Sequence, residues 1–380
     1  MDKLKVGIIG GGGTGSFFGK VHLRAISFDG TREVVAGALR STPEGSMAAA
    51  EEWGIQGFDD CKSMLNAYTN GELELDYVVI VTPNFAHYEQ AKACLEAGLP
   101  VFCEKPMTLT VDEAEDLQRI VEEKDLPFIL GHTYTGHPML MLAREIVKNG
   151  EIGEIRKVES WYTQGWVAST FLGGQGDTLS AMWKFDTKLT GVSNCGGDIG
   201  THALANAMFV TGLKPVEISA RLNSFLIDTG IDDDFNSFIV MDNGAIALIN
   251  ATQIAIGYKN DTGIKVYGSK GSLEWHQERA EQLIYKTGEA DTVYWIGKGY
   301  SYMPESVNSY LRTPCGHNED FFEAVANLHT TMERMVRKRN GEKDVENPYE
   351  HPGVDYGVTG LKFLKAAVES SKAQGKWMKI

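Results

Sequence analysis

The sequence predicts an α/β chain: a doubly wound parallel sheet, then a large, mostly antiparallel open sheet backed by helices. Three observations predict it. Through residue 131, apolar runs without polar alternation are interleaved with helical stretches, the pattern of parallel strands buried on both faces. Beyond "REIVKNGEIGEI", strand-like segments follow one another with Gly, Asp and Asn turns and no helix between them, which argues for antiparallel pairing. The tail, "NEDFFEAVANLHTTMERMVRKRNG" and "VTGLKFLKAAVESSKAQG", returns to a helical period. For 380 residues, two domains are the expectation. We bound them at 1–131 and 132–380, with the C-terminal helices able to pack back on the first.

The elements follow in order. "KLKVGIIG" is a buried strand ending in glycines, and "EVVAGAL", residues 33–39, is a second. "PEGSMAAAEEWG" is a helix closed by Gly54 as its C′ residue. "LDYVVIVTPN", "PVFCEK" and "PFILGH" are further strands, with "FAHYEQAKACLEAG" a helix between the first two. Thr110 and Glu113 form a capping box at the head of "VDEAEDLQRIVEEK". In the second half, "RKVESWYTQGW", "VEISARLNSFLI", "FNSFIVM", "GAIALINATQIAI", "IKVYGSKGSLEW" and "QLIYKT" read as strands, with a hairpin at "YGSKGSLEW". Such alternating apolar strands need a cover. One face is expected on helices and the other in a homodimer or homotetramer.

Composition narrows the function. Net charge of −15 argues against a nucleic-acid partner, which needs clustered Lys and Arg. Five scattered cysteines carry no disulfide framework and no Cys/His ligand spacing, so no metal is expected and a reducing cytoplasm is. His132 and His137, five apart, have no ligand partner nearby. No apolar run reaches the ~18 residues of a membrane span, and "MDKLKVGIIGGGG" reads as a strand rather than a signal peptide.

The first turn, Gly10-Gly11-Gly12-Gly13-Thr14-Gly15, fits G-x-G-x-x-G after a strand and before a helix. Glycines there permit the tight turn and let backbone approach a pyrophosphate at a helix N-terminus. That context makes the first domain a Rossmann dinucleotide-binding domain, with Gly10, Gly12, Gly13, Thr14 and Gly15 on the cofactor. An NAD site usually has an acid closing the second strand. Here Leu39 is followed by Arg40, Ser41 and Thr42. A cation and hydroxyls suit a 2′-phosphate, so NAD(P) is expected with a lean to NADP. The other reading leaves Arg40 a surface residue with the adenosine end loosely held.

Two stretches carry chemistry. In "VFCEKPMT", Lys105 stands where a parallel strand ends, the edge at which open α/β sheets bind ligands; the alternative is a solvent-facing lysine. In "NCGGDIGTHALANAMF", a helix starting near Asp198 puts Asp198 and His202 at i and i+4 on one face. A carboxylate beside an imidazole fixes its tautomer; an N-cap aspartate with a core histidine is the alternative. Trp161, Tyr162, Trp166 and Trp183 gather in sequence with Gln164 and Lys184, aromatic faces and polar groups that suit a pyranose, or plain packing.

These stretches together resemble the glucose–fructose oxidoreductase/inositol dehydrogenase family (Gfo/Idh/MocA). "GIIGGGGTG", "VTPNFAHYEQAKACLEAG", "VFCEKPMT" and "GGDIGTHAL" occur in family order, and the likeness spans the chain. The resemblance implies an NAD(P)-dependent dehydrogenase moving hydride between a secondary alcohol of a sugar, glycoside or cyclitol and nicotinamide. It implies that Lys105 contacts nicotinamide ribose and substrate hydroxyl, that Asp198 binds substrate and supports His202, and that His202 is the acid/base. Thr82, Pro83 and Asn84 would line the cofactor, Glu104 would position the lysine, and Pro106 would hold the turn through a cis bond on one side of Lys105 or the other. Tyr134, Gln164, Trp166, Lys184, Asp198 and His202 are the candidate substrate contacts, with His132 beside them. "SWYTQGWV", "MWKFDTK" and "RTPCGHNEDFFEAVANLH" resemble the levoglucosan dehydrogenase-like branch. The missing acid after the second strand and Asn194-Cys195 before the GGD element depart from the family pattern. Two other functions fit the same residues: glycoside oxidation at C3 coupled to elimination or hydrolysis with retained NAD(H), and a non-catalytic NAD(P)-sensing regulator.

Overall fold

The computed structural model describes residues 2–13, 16–173, 182–226 and 230–380. The chain divides into two compact units: Met1–Gly136 with Phe321–Val358, and His137–Asp320 with Thr359–Ile380.

The first unit is built on six parallel strands, β1 (Leu4–Gly10), β2 (Arg32–Ala38), β3 (Gln56–Gly57), β4 (Tyr77–Val81), β5 (Val101–Cys103) and β6 (Phe128–Leu130). Their order, β3-β2-β1-β4-β5-β6, is that of a dinucleotide-binding sheet, with the order reversing beside β1. The strands read as continuous apolar runs because both faces are covered: Ile8, Val79, Ile80, Val101 and Phe102 have no exposed surface. Local chemistry sets the helix ends. Thr42 caps α2 (Pro43–Trp53), with Pro43 at its first turn and Gly54 in the left-handed region at φ +69 closing it. Thr110 and Glu113 close a reciprocal capping box on α5 (Val111–Lys124). Between them lie α3 (Cys61–Thr69) and α4 (His87–Glu96), and α1 (Phe17–Ser27) follows the glycine turn. The later helix Phe321–Arg339 belongs to this unit. Its Leu328, Met332 and Val336 enter the core with Ile8, Val79 and Phe102, and Glu333 meets the fully buried Arg32 guanidinium at 2.7 Å.

The second unit carries a nine-stranded sheet, ordered β14-β13-β12-β11-β7-β10-β9-β8-β15. Its strands are β7 (Ile155–Thr163), β8 (Pro215–Asn223), β9 (Asp234–Met241), β10 (Ile246–Thr252), β11 (Asp261–Gly268), β12 (Ser272–His276), β13 (Gln282–Lys286), β14 (Asp291–Trp295) and β15 (Met378–Lys379). Among the described residues β7 and β10 pair parallel and the other neighbours antiparallel. The hairpin read at "YGSKGSLEW" is the β11–β12 connection, with Tyr267 opposite Ser272. Strict alternation on β9 and β10 buries Phe235, Ile239, Ala247 and Ile249. The opposite face leaves Phe238 54% and Ile246 37% exposed. Helices of this unit include α6 (Pro138–Lys148), α7 (Trp166–Gly173) and α8 (Thr201–Thr211). Among the described residues no helix is long and apolar enough to cross a membrane.

Candidate active site

In the first unit, the glycine turn is shaped by close approaches. Gly10 and Gly11 have φ of +84 and +78, which favour glycine. A Cβ on Gly12 would stand 2.6 Å from Leu39 Cβ, so the turn lies flat against the end of β2. A Cβ on Gly19 would stand 2.0 Å from Gly11 O. Gly19, not singled out in the sequence, is therefore the glycine that lets α1 pack on the turn. At Gly13 the nearest atom to a built Cβ, among the described residues, is Ser16 Cβ at 3.9 Å. These residues fit a dinucleotide. Thr14 and Gly15 lie outside the described residues. Arg40 Nε donates to Gly12 O at 2.9 Å, which draws the arginine to the glycine turn, and Ser41 beside it is exposed.

The turns after β4 and β5 are tied together by His87, which the sequence reading passed over. Its Nε2 lies 2.8 Å from Thr82 O and its Nδ1 2.7 Å from Pro106 O. Burial holds His87 below the ordinary imidazole range. Thr82 Oγ1 donates to Gln90 Oε1 at 2.7 Å, and Pro83 leads into a single turn at Asn84–Ala86. The Lys105–Pro106 bond is cis. Glu104 is buried and Lys105 half-buried. His132, also buried, is pushed down to about 3 by burial and then by the charge of Lys105, so it stays neutral at physiological pH. Tyr134 is buried in the turn Thr133–Gly136.

In the second unit, the "GGDIG" stretch departs from the expected helix start at Asp198. A π-helical turn spans Gly196–Gly200 and runs into α8 at Thr201. Such wide turns are rare and frequent at functional sites. Packing requires the glycine: a Cβ on Gly196 would stand 2.4 Å from Ser193 Oγ and 2.8 Å from the Phe235 ring. Asp198 sits on this turn. Its Oδ2 accepts from Lys184 Nζ and from Gln253 Nε2, each at 2.9 Å. Gln253 is held in turn by Asn194 Nδ2, which donates to its Oε1 at 2.8 Å. Asp232 anchors the approach, accepting from Ser193 Oγ and Asn194 N at 2.9 Å and Gly196 N at 3.0 Å. Burial raises Asp232 to about 6 against those three donors. Gln253 and Asp232 are the residues that sequence reading missed here.

The remaining candidates sort by face. Lys184 Nζ lies 5.2 Å from the Trp166 ring centroid, and Trp166 stacks on Phe185. His202 is 7% exposed, with its ring 6.0 Å from that of Tyr162. Gln164 bonds Asn260, which also accepts from the Tyr162 hydroxyl at 3.1 Å. Trp161 does not join this group. Strand alternation turns it to the other face of β7, where it meets the His276 ring at 5.0 Å. Trp183 is half-buried in the turn Met182–Phe185.

Comparison with known proteins agrees with this architecture. The family described as "Oxidoreductase family, NAD-binding Rossmann fold" matches residues 4–132, and "GFO/IDH/MocA C-terminal domain" matches residues 140–274. A levoglucosan dehydrogenase of Pseudarthrobacter phenanthrenivorans is 28% identical over 86% of this chain and 90% of its own. A crystal structure of an oxidoreductase from Sinorhizobium meliloti superposes with a TM-score of 0.87 at 33% identity, covering 100% of both chains. An inositol dehydrogenase homolog from Azotobacter vinelandii, complexed with NADH and myo-inositol, gives 0.89 at 26%, covering 100% of this chain and 98% of its own.

Proposed function

Because the chain belongs to the GFO/IDH/MocA oxidoreductase family, whose members are NAD(P)-dependent enzymes acting on CH–OH groups, we propose that it oxidises a secondary hydroxyl of a sugar, glycoside or cyclitol. The observation that carries this reading is Asp198. Its carboxylate is oriented on a π-helical turn by Lys184 and Gln253, three residues before α8 delivers His202. A carboxylate, an ammonium and an amide converging in this way match vicinal hydroxyls, which both donate and accept. The Trp166 ring beside Lys184 suits the C–H face of a pyranose. Relatives named for levoglucosan and inositol support this substrate class.

When bound, the nicotinamide supplies the hydride acceptor. The chain's own residues supply the rest. His202 takes the hydroxyl proton, Lys105 polarises the oxygen, and Asp198 orients substrate and imidazole. Gly10, Gly12 and Gly13 hold the pyrophosphate by backbone, Thr82, Pro83 and Asn84 line the cofactor, and Arg40 selects NADP. The outward face of the nine-stranded sheet, with Phe238 and Ile246 exposed, is the surface we assign to a homodimer or homotetramer.

The test crosses NAD and NADP with monosaccharides, anhydrosugars, inositols and glycosides, following absorbance of the reduced nicotinamide. On the best substrate, Lys105→Ala and His202→Ala are each expected to lower turnover by about 10³-fold or more, with cofactor binding retained. Full turnover in both variants rejects the assignment.

A further inference from the structure

The histidines are dispersed in sequence, yet two of them complete a buried line of hydrogen bonds behind Lys105. Glu104 Oε1 lies 2.9 Å from His22 Nε2, His22 Nδ1 lies 3.0 Å from His329 Nε2, and His329 Nδ1 lies 3.1 Å from the Tyr77 hydroxyl. His22, Tyr77 and His329 have no exposed surface, and Glu104 is 7% exposed. The four come from α1, β4, the end of β5 and the helix Phe321–Arg339. Phe102 walls the line: the His329 ring stacks on it at 4.6 Å, and His22 meets it edge-on at 5.1 Å. Gly131 makes room for the carboxylate, since a Cβ there would stand 2.8 Å from Glu104 Oε1.

One proton arrangement satisfies every member with neutral rings. An ionised carboxylate only accepts, so His22 Nε2 carries hydrogen and its Nδ1 accepts. His329 Nε2 then donates, and its Nδ1 accepts from the tyrosine O–H. Burial keeps Tyr77 protonated by pushing it above the usual phenol range, and keeps His329 neutral by pushing it well below the usual imidazole range. The line ends on a fully buried phenol. It therefore orients rather than conducts.

We propose that Tyr77, His329 and His22 form a positioning relay that fixes Glu104 as an oriented anion and, through it, sets the charge environment of Lys105. Lys105 N donates to the other carboxylate oxygen at 3.3 Å. Among the described residues, His22, Cys103, His87 and His132 are groups that packed elements turn toward this pair. Burial keeps the Cys103 thiol protonated and the His132 imidazole neutral, whereas Glu104 is the carboxylate among these groups. As a role in catalysis, the relay rests on the reading of Lys105 as the polarising cation.

The test reads Lys105 without a substrate. The full chain is pulse-labelled with acetic anhydride across the alkaline range, and acetylation of Lys105 is quantified by peptide mass spectrometry against exposed Lys148. His22→Leu strips the donor from Glu104 Oε1, so the carboxylate is free to turn away from Lys105. The labelling midpoint of Lys105 is expected to fall by about one pH unit, while Lys148 stays put. His22→Gln, whose amide N–H replaces Nε2–H, returns the midpoint to the wild-type value. Tyr77→Phe removes one oxygen and keeps the core filled; it shifts the midpoint the same way by less, and it decides the matter if His22→Leu does not fold. An unmoved midpoint in both variants, or an equal shift in His22→Gln and His22→Leu, overturns the relay. Full turnover in Lys105→Ala would instead remove the catalytic role and leave the labelling result standing.

Discussion

Lys184 Nζ stands 2.9 Å from Asp198 Oδ2, joining the short turn Met182–Phe185 to the π-helical turn fourteen residues on. The pair is partly open, with side-chain exposures of 27% and 19%, so solvent screens it and its value for stability is small. Its geometry matters more for what it presents: an ammonium set against a carboxylate. Hydroxyls of a polyol bind such a pair by bridging both charges.

The first prediction concerns that pair. Lys184→Met keeps the stem over Trp166 and removes the charge. Losing one charge-assisted hydrogen bond of ~1.5–3 kcal/mol is expected to lower kcat/KM for the best polyol or sugar by about 10–100-fold, with most of the change in KM. Asp198→Asn is expected to lower kcat as well, because in the proposed mechanism the carboxylate also orients the imidazole. Steady-state kinetics with NADPH-binding fluorescence as a control separate these outcomes. Unchanged KM in Lys184→Met would place the lysine outside the substrate contacts.

What was legible in the sequence follows from the range of each interaction. The Thr110–Glu113 capping box and the Gly54 cap are decided within a few residues, and the structure has both. The continuous apolar strands declare their two-sided burial in the same local way. The helix start near Asp198 shifts to a π-helical turn because Gly196 packs on Phe235 and Leu364, distant partners that local spacing does not report. Gln253 reaches Asp198 across 55 residues and Asp232 reaches Asn194 across 38, so neither announces itself. Trp161 and Tyr162 teach a different lesson. Adjacent strand residues point to opposite faces, and closeness in sequence grouped a pair that the pleat separates.

The second prediction follows from Asp232. In the folded protein burial raises it to about 6, whereas an unfolded chain releases that proton near the ordinary carboxylate value of about 4. Between those values the folded state binds more protons, so stability falls as pH rises through the window, by on the order of 3 kcal/mol in total for a shift of about two units. Asp232→Asn removes the titration. The variant is less stable at every pH because an amide oxygen alone does not accept from all three donors. Its deficit against wild type is expected to be largest near pH 4 and to shrink toward pH 7. Urea unfolding midpoints at stepped pH check this, and a deficit that stays constant across the window would place the carboxylate at an ordinary value in the fold.

The last prediction tests cofactor choice. Arg40 is tied to the glycine turn through Nε, which donates to Gly12 O at 2.9 Å, and it stands two residues past the end of β2, where the adenosine ribose lies in sheets of this order. The bond uses one edge of the guanidinium and leaves the terminal amino groups for a 2′-phosphate, which a planar fork engages better than a bare diol. Fluorescence titration is therefore expected to show NADPH binding about tenfold or more tighter than NADH, within the ~1.5–3 kcal/mol of a charge-assisted hydrogen bond. Arg40→Leu is expected to abolish that difference by weakening NADPH alone, and Arg40→Asp to invert it, because a carboxylate repels the phosphate and accepts from the ribose hydroxyl. Tighter NADH binding by the wild type, with neither affinity moved by Arg40→Leu, would return the arginine to the role of a strut for the glycine turn.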